Sequence, residues 1–161
     1  MEERANSFVF GLITEADARQ IATWQYDAPY EVYNSNPNAL DEHVQSLLKP
    51  TYHYHTIRNT NGELIGYCCF GEDARVTGGD YEQHALDVGA GMRPDLTGQQ
   101  QGHHLLNAIL AFAQTEFTPA AFRVTIASWN KRALKVAQKV GFHAHSTFLS
   151  ASGVEFAVLV K

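Results

Sequence analysis

The order of elements predicts an α/β fold in which a mixed sheet carries helices on both faces. Three observations point there. Short apolar runs of strand length alternate with amphipathic helical stretches. Asn61-Gly62 lies between two strand-like runs, a hairpin signal. Strand–loop–helix and strand–helix units then follow in succession over 85–117 and 121–140.

Phe8 to Leu12 reads as a first strand, and Thr14 before Glu15, Ala16 and Ala18 reads as the N-cap of a helix running to about Trp24. The aromatic, aperiodic stretch from Trp24 through Tyr26 and Tyr30 to Tyr33 reads as an ordered loop. Leu40 to Leu48 forms a second helix, stopped by Pro50. Tyr52 to Arg58 and Glu63 to Phe70 are the hairpin strands, and residues 71 to 80 a loop. Ala85 to Met92 is strand-like but interrupted by Gly89 and Gly91, which mark a bulge or the close approach of a ligand. From Gly102, apolar residues at Leu105, Leu106, Ile109, Leu110, Ala113 and Phe117 recur at helical spacing. Ala121 to Ile126 is a buried strand, Asn130 caps the next helix, and Gly141 falls where a left-handed C′ residue is expected. Two strands, His143 to Leu149 and Val154 to Val160, close the chain around Ser152-Gly153.

A length of 161 residues suits one domain spanning 1–161. No apolar run approaches the roughly 20 residues of a membrane helix, and Met1-Glu2-Glu3-Arg4 has no apolar segment of a secretory signal. Net charge is −5, from 12 basic and 17 acidic residues, which excludes general nucleic-acid binding. It favours cationic partners. The two cysteines, Cys68 and Cys69, are adjacent, point to opposite faces of a strand and cannot readily pair. Two free thiols suit a cytoplasmic protein.

The segment from Met92-Arg93-Pro94 through Asp95, Leu96, Thr97, Gly98, Gln99, Gln100, Gln101, Gly102 and His103 runs from a strand through a polar loop into an amphipathic helix. Such a junction turns backbone N–H groups and a positive helix end toward an anion, and a pyrophosphate suits it. The chain has no GxxxxGK[ST] signature, so this is not a P-loop. Gly89-Ala90-Gly91 begins a dinucleotide fingerprint, but Pro94 prevents a helix from starting there.

This segment resembles the acyl-CoA-binding loop of the GCN5-related N-acetyltransferases, an R-G-x-G-x-G turn around the CoA pyrophosphate. The stretch Asn130-Lys131-Arg132-Ala133 through Ala137, Lys139, Gly141 and Phe142 is similar to that family's N-x-x-A-x-x-x-Y-x-K-x-G-F helix. The resemblance implies an acyltransferase that uses acetyl-CoA as co-substrate. Backbone around Gly91 and Met92 would hold the pantetheine arm, Thr97 through His103 would line the pyrophosphate, and Asn130 would lie near the thioester. Three residues depart from the pattern. Thr97 replaces Arg or Gln, Gln100 replaces the middle glycine, and Ala137 replaces the tyrosine that often protonates the leaving thiolate. A thiol with a pKa near 8.5–9 leaves without much help.

Acetylation of an amine needs a base for the ammonium proton. In the family this is often a carboxylate near the start of the glycine-bearing strand, so Asp87 is the first choice, followed by Glu82 and His84. An N–H freed by a bulge near Gly89 or Gly91 would serve the oxyanion. The N-terminal helices and loop would shape the acceptor pocket, with Trp24, Tyr26, Tyr30 and Tyr33 attracting a cationic amine through their ring faces. His53/His55 and His143/His145 place paired rings on strand faces, yet no spacing supplies the three or four ligands zinc needs, so no metal is expected. The expected protein is a monomer or homodimer acting on a small-molecule or peptide amine. The alternatives are an acyl-CoA sensor without turnover and an interaction module with a purely structural loop.

Overall fold

Seven strands form one mixed sheet, in the order β1-β2-β3-β4-β5-β7-β6, in a computed structural model that describes residues 7–161. The acidic stretch at residues 1–4 lies outside the described residues. The strands are β1 Val9–Leu12, β2 His55–Arg58, β3 Leu64–Phe70, β4 Leu86–Met92, β5 Phe122–Ala127, β6 His143–Leu149 and β7 Glu155–Val160. The helices are α1 Glu15–Ala22, α2 Leu40–Leu48, α3 Gly102–Phe117 and α4 Lys131–Val140. Among the described residues no helix is long and apolar enough to cross a membrane.

The two helix pairs cover opposite faces. Adjacent strand residues point to opposite sides, so Tyr67 packs toward α1 and α2 while Cys68 packs toward α3 and α4. On the first face Ala18, Ile21, Val44 and Leu47 close over Leu64 and Tyr67. On the second, Leu105, Ile109 and Ala137 join Ile57, Phe70, Val88 and Phe122. Both cysteines are buried and unpaired. Burial raises their thiols well above the ordinary range, Cys69 to about 12, so neither is a ready nucleophile.

Local chemistry sets the element ends. Thr14 and Asp17 form a reciprocal capping box at α1, and Asp17 also receives Arg58 from β2 at 2.8 Å, fixing the helix to the sheet. Gly141 ends α4 with φ +110°. One strand is shorter than its pattern predicts. Pro50–Tyr52 is a 3₁₀ turn and His53 takes φ +52°, so β2 begins only at His55. His53 and His55 therefore do not share a strand face.

β4 and β5 are the parallel neighbours, and they pair only at Leu86↔Phe122 and Asp87↔Arg123. On its other side β4 stays paired with β3 over the whole run from Val88↔Phe70 to Met92↔Gly66. The sheet thus parts between β4 and β5 beyond Asp87. The uninterrupted β3–β4 register also corrects the expected bulge. The glycines are there for side-chain clearance: a Cβ at Gly91 would lie 2.4 Å from the Tyr67 ring, and one at Gly89 would lie 2.7 Å from the Cys69 Sγ.

Candidate active site

Strand alternation decides which backbone groups face the gap. Asp87 C=O accepts from Gly71 and Arg93 N–H donates to Ile65, both on the β3 side, whereas Leu86 N–H donates to Ala121. Counting from those anchors, the N–H and C=O of Ala90 and Met92 point into the gap, while those of Gly91 turn back to β3. The strand edge available to an extended ligand is therefore Ala90 together with the Met92 N–H, since the Met92 C=O accepts from the Tyr26 hydroxyl; of the Gly91–Met92 pair expected from sequence, Gly91 faces β3.

The loop after β4 enters α3 at the open end of the gap. Its side chains are folded back on the loop itself. Thr97 Oγ1 donates to Pro94 C=O at 2.7 Å, and the Gln99 amide donates to Asp95 C=O at 2.9 Å. Arg93 is held by both oxygens of Asp95, at 2.6 and 3.1 Å. Gly98 has φ +76° and Gln100 has φ +60°, so Gln100 adopts the glycine-type conformation despite its Cβ. Gln101 occupies the N-cap position, with its C=O accepting from Leu105 N–H at 3.2 Å. Gly102 packs under α4, where a Cβ would meet Val136 at 3.0 Å. His103 stacks beside His104 at 3.9 Å. Partial desolvation, then the charges of His104 and Lys139, keep the His103 imidazole below its ordinary value.

Asn130, at the β5–α4 junction, is buried, and it serves two partners. Its Oδ1 accepts from Ala133 N–H at 3.1 Å as the α4 cap, and its Nδ2 donates to the Tyr33 hydroxyl at 3.1 Å. Tyr33 stacks on Trp129 and Tyr30 tilts against it, each at 5.8 Å. At the other end of this loop Tyr26 donates to Met92 C=O at 2.8 Å. Asn34 closes the loop by accepting from Tyr26 N–H at 2.6 Å. Residues 26–34 thus form a strap across the open end, fastened to β4 by Tyr26 and to α4 by Tyr30 and Tyr33. Burial lifts the Tyr26 phenol to about 12, opposed by the charge of Arg132. Trp24 stands apart from the strap, buried and tilted against Tyr67 at 6.0 Å.

The expectation for Asp87 is corrected. Its carboxylate is 1% exposed. Both oxygens bind Arg123, at 2.7 and 2.8 Å, and Arg75 adds a third contact at 2.8 Å. A buried carboxylate clamped between two guanidinium groups has no face open to a substrate. Its role is to join β4 to β5 where they pair. Glu82 and His84 are exposed in the segment before β4, beyond the paired residues and away from the gap.

A different carboxylate lies on the α1/α2 face. Asp73, in the 3₁₀ turn Glu72–Ala74 after β3, receives a short hydrogen bond from the Tyr54 hydroxyl. That turn packs on Gly89, where a Cβ would lie 3.4 Å from Ala74. Tyr54 in turn lies against Tyr67, at 6.2 Å. No sequence pattern singles out Asp73, because its neighbours come from the segment before β2, from β3 and from β4.

The model of the acetyltransferase (GNAT) family matches residues 18–142. The chain belongs to this family of acyltransferases. Among curated proteins, no sequence matches it. Solved structures agree on the fold. Aminoglycoside acetyltransferase AAC(6')-Ib in complex with coenzyme A is similar at a TM-score of 0.75 and 17% identity, covering 96% of this chain and 94% of that one. A GNAT acetyltransferase from Bacillus anthracis gives 0.75 and 12%, covering 98% and 96%. A spermidine N-acetyltransferase chimera of Vibrio cholerae SpeG and hSSAT gives 0.74 and 15%, covering 95% and 93%.

Proposed function

We propose that this GNAT chain transfers the acetyl group of acetyl-CoA directly to a primary amine while both substrates are bound. The carrying observation is the parting of β4 from β5 after two residue pairs, beside a loop with positive φ at Gly98 and Gln100. Pantetheine is an amide-containing chain, and Ala90 and Met92 offer it a strand edge to bond along. The pyrophosphate falls at the loop and the first N–H groups of α3. The thioester then lies over β4, and the acceptor approaches from the α1/α2 face, where Trp24, Tyr54 and Tyr67 present rings to an ammonium.

Asp73 takes the role of base. It accepts the ammonium proton, the neutral nitrogen attacks the thioester carbon to form the C–N bond, the adduct sheds its second nitrogen proton to solvent, and the C–S bond breaks to release CoA thiolate, which takes up a proton from solvent. Tyr54 holds the carboxylate in place. The test is thiol release with acetyl-CoA and a panel of polyamines, amino sugars, amino acids and peptide N-termini. Turnover with at least one amine is expected, and Asp73→Asn should lower its kcat/KM by roughly 10²–10⁴. CoA binding without thiol release from any amine would leave a sensor. A loss below about threefold in Asp73→Asn would remove Asp73 from the mechanism.

A further inference from the structure

The loop that would face the CoA pyrophosphate contains one arginine, Arg93, whose Nε and Nη2 are held by Asp95 and whose Nη1 donates to Leu64 C=O. Thr97 and Gln99 are turned onto the backbone of the same loop. A doubly charged pyrophosphate beside these groups would meet N–H dipoles but no free cation from the loop itself. The nearest guanidinium belongs to a different element. Arg132, in the first turn of α4, reaches across so that a Cβ at Gly98 would lie 3.5 Å from its Nη1. Val136, one turn further along α4, touches Gly102, so the same helix face runs along the loop.

Arg132 also differs from the other arginines in its electrostatic setting. Arg19, Arg58, Arg75, Arg93 and Arg123 each hold a carboxylate. Among the described residues none pairs with Arg132. Its guanidinium instead lies 4.0 Å over the ring of Tyr30, on the strap, and its charge reaches the Tyr26 phenol. A cation on an aromatic face is oriented yet keeps its in-plane N–H donors free.

We propose that Arg132 binds the donor's pyrophosphate, replacing from α4 the arginine that the loop lacks at Thr97. A guanidinium fork suits adjacent phosphate oxygens better than an ammonium does, because it can donate two parallel hydrogen bonds. Tyr30 holds the fork at the loop before the donor arrives, so the strap takes part in donor binding as well as covering the acceptor side. This assignment rests on the acetyl-CoA reading.

The test compares Arg132→Gln and Arg132→Lys with the unaltered protein by calorimetry, using CoA and 3′-dephospho-CoA. KM for S-acetylpantetheine, which has no phosphates, is measured beside them. Arg132→Gln should weaken CoA and 3′-dephospho-CoA alike, on the order of 10- to 100-fold. Arg132→Lys should fall between the two. The S-acetylpantetheine KM should change less than twofold, and Tm should stay within a degree or two, since the side chain is only half-buried. An equal loss with S-acetylpantetheine would mean that Arg132 merely supports the fold, and would overturn the proposal. A loss confined to CoA would assign Arg132 to the 3′-phosphate and overturn it too. Failure of the unaltered protein to bind CoA would instead remove the acetyl-CoA reading, and this assignment with it.

Discussion

Asp87 and Gln100 look unusual in the sequence for opposite reasons, and geometry separates them. Asp87 stands where a base is expected, but it is buried against Arg123, itself 3% exposed. Removing the carboxylate charge would leave that guanidinium without a buried counter-charge, a change that costs about 3–5 kcal/mol. Asp87→Asn should therefore lower Tm by roughly 6–20 °C while the folded enzyme keeps its kcat within a few fold. Thermal unfolding and activity at low temperature check both halves; lost activity at unchanged Tm would return Asp87 to the chemistry. Gln100 carries strain of about 1–2 kcal/mol at φ +60°. Gln100→Gly relieves it, and the more flexible unfolded chain takes back up to about 1 kcal/mol. Its Tm should be equal or slightly higher, whereas Gln100→Val, with a β-branched residue at positive φ, should lose several degrees. The reverse ranking would show that the loop is built differently.

At the scale of elements, β4 is shaped by its neighbour β3 more than by its own propensity. Two glycines in seven residues weaken a strand, yet Tyr67 and Cys69 need the space directly opposite them. Gly91→Ala would drive a methyl into the Tyr67 ring, on the strand that borders the gap. Overpacking of this kind costs about 1–3 kcal/mol, and the shifted ring would also disturb the acceptor face. The expected result is a Tm lowered by several degrees together with a raised KM for the amine. In a Tyr67→Leu background, which removes the ring atoms that would lie 2.4 to 2.5 Å from the new methyl, Gly91→Ala should cost less than it does in the unaltered protein. An equal cost in both backgrounds would mean that the clash is with backbone instead.

For the whole molecule, the gap between β4 and β5 splits the sheet into a β1–β4 half and a β5–β7–β6 half. The halves are joined by two residue pairs, by the Asp87–Arg123 ion pair, by the strap from Tyr26 to Tyr33 and by the core shared under α3 and α4. A donor lying in the gap would bridge both halves and bind only the native state. At 100 times its Kd it stabilises by about 2.7 kcal/mol, which corresponds to a Tm rise of roughly 5–10 °C for a chain of this size. Differential scanning fluorimetry with millimolar acetyl-CoA checks this, and no shift would count against the acetyl-CoA reading.

The elements were legible in the sequence because their signals are local. Apolar periodicity defined α2 and α3 to the residue, Asn130 and Gly141 bounded α4, and Thr14 capped α1. The phosphate-type loop and the family resemblance were legible for the same reason, since each depends on contiguous residues. The roles of side chains were not. Asp87 became an ion-pair partner because Arg123 arrives from 36 positions away, and Asp73 entered the candidate site through Tyr54, 19 positions earlier, just ahead of β2. Arg132 reached the loop only because α4 packs beside α3. The edge facing the gap, Ala90 and Met92 instead of Gly91, depended on which neighbour β4 pairs with first. Local pattern specifies where helices and strands begin and end, but tertiary packing decides which charges meet and which backbone groups are left to face a ligand.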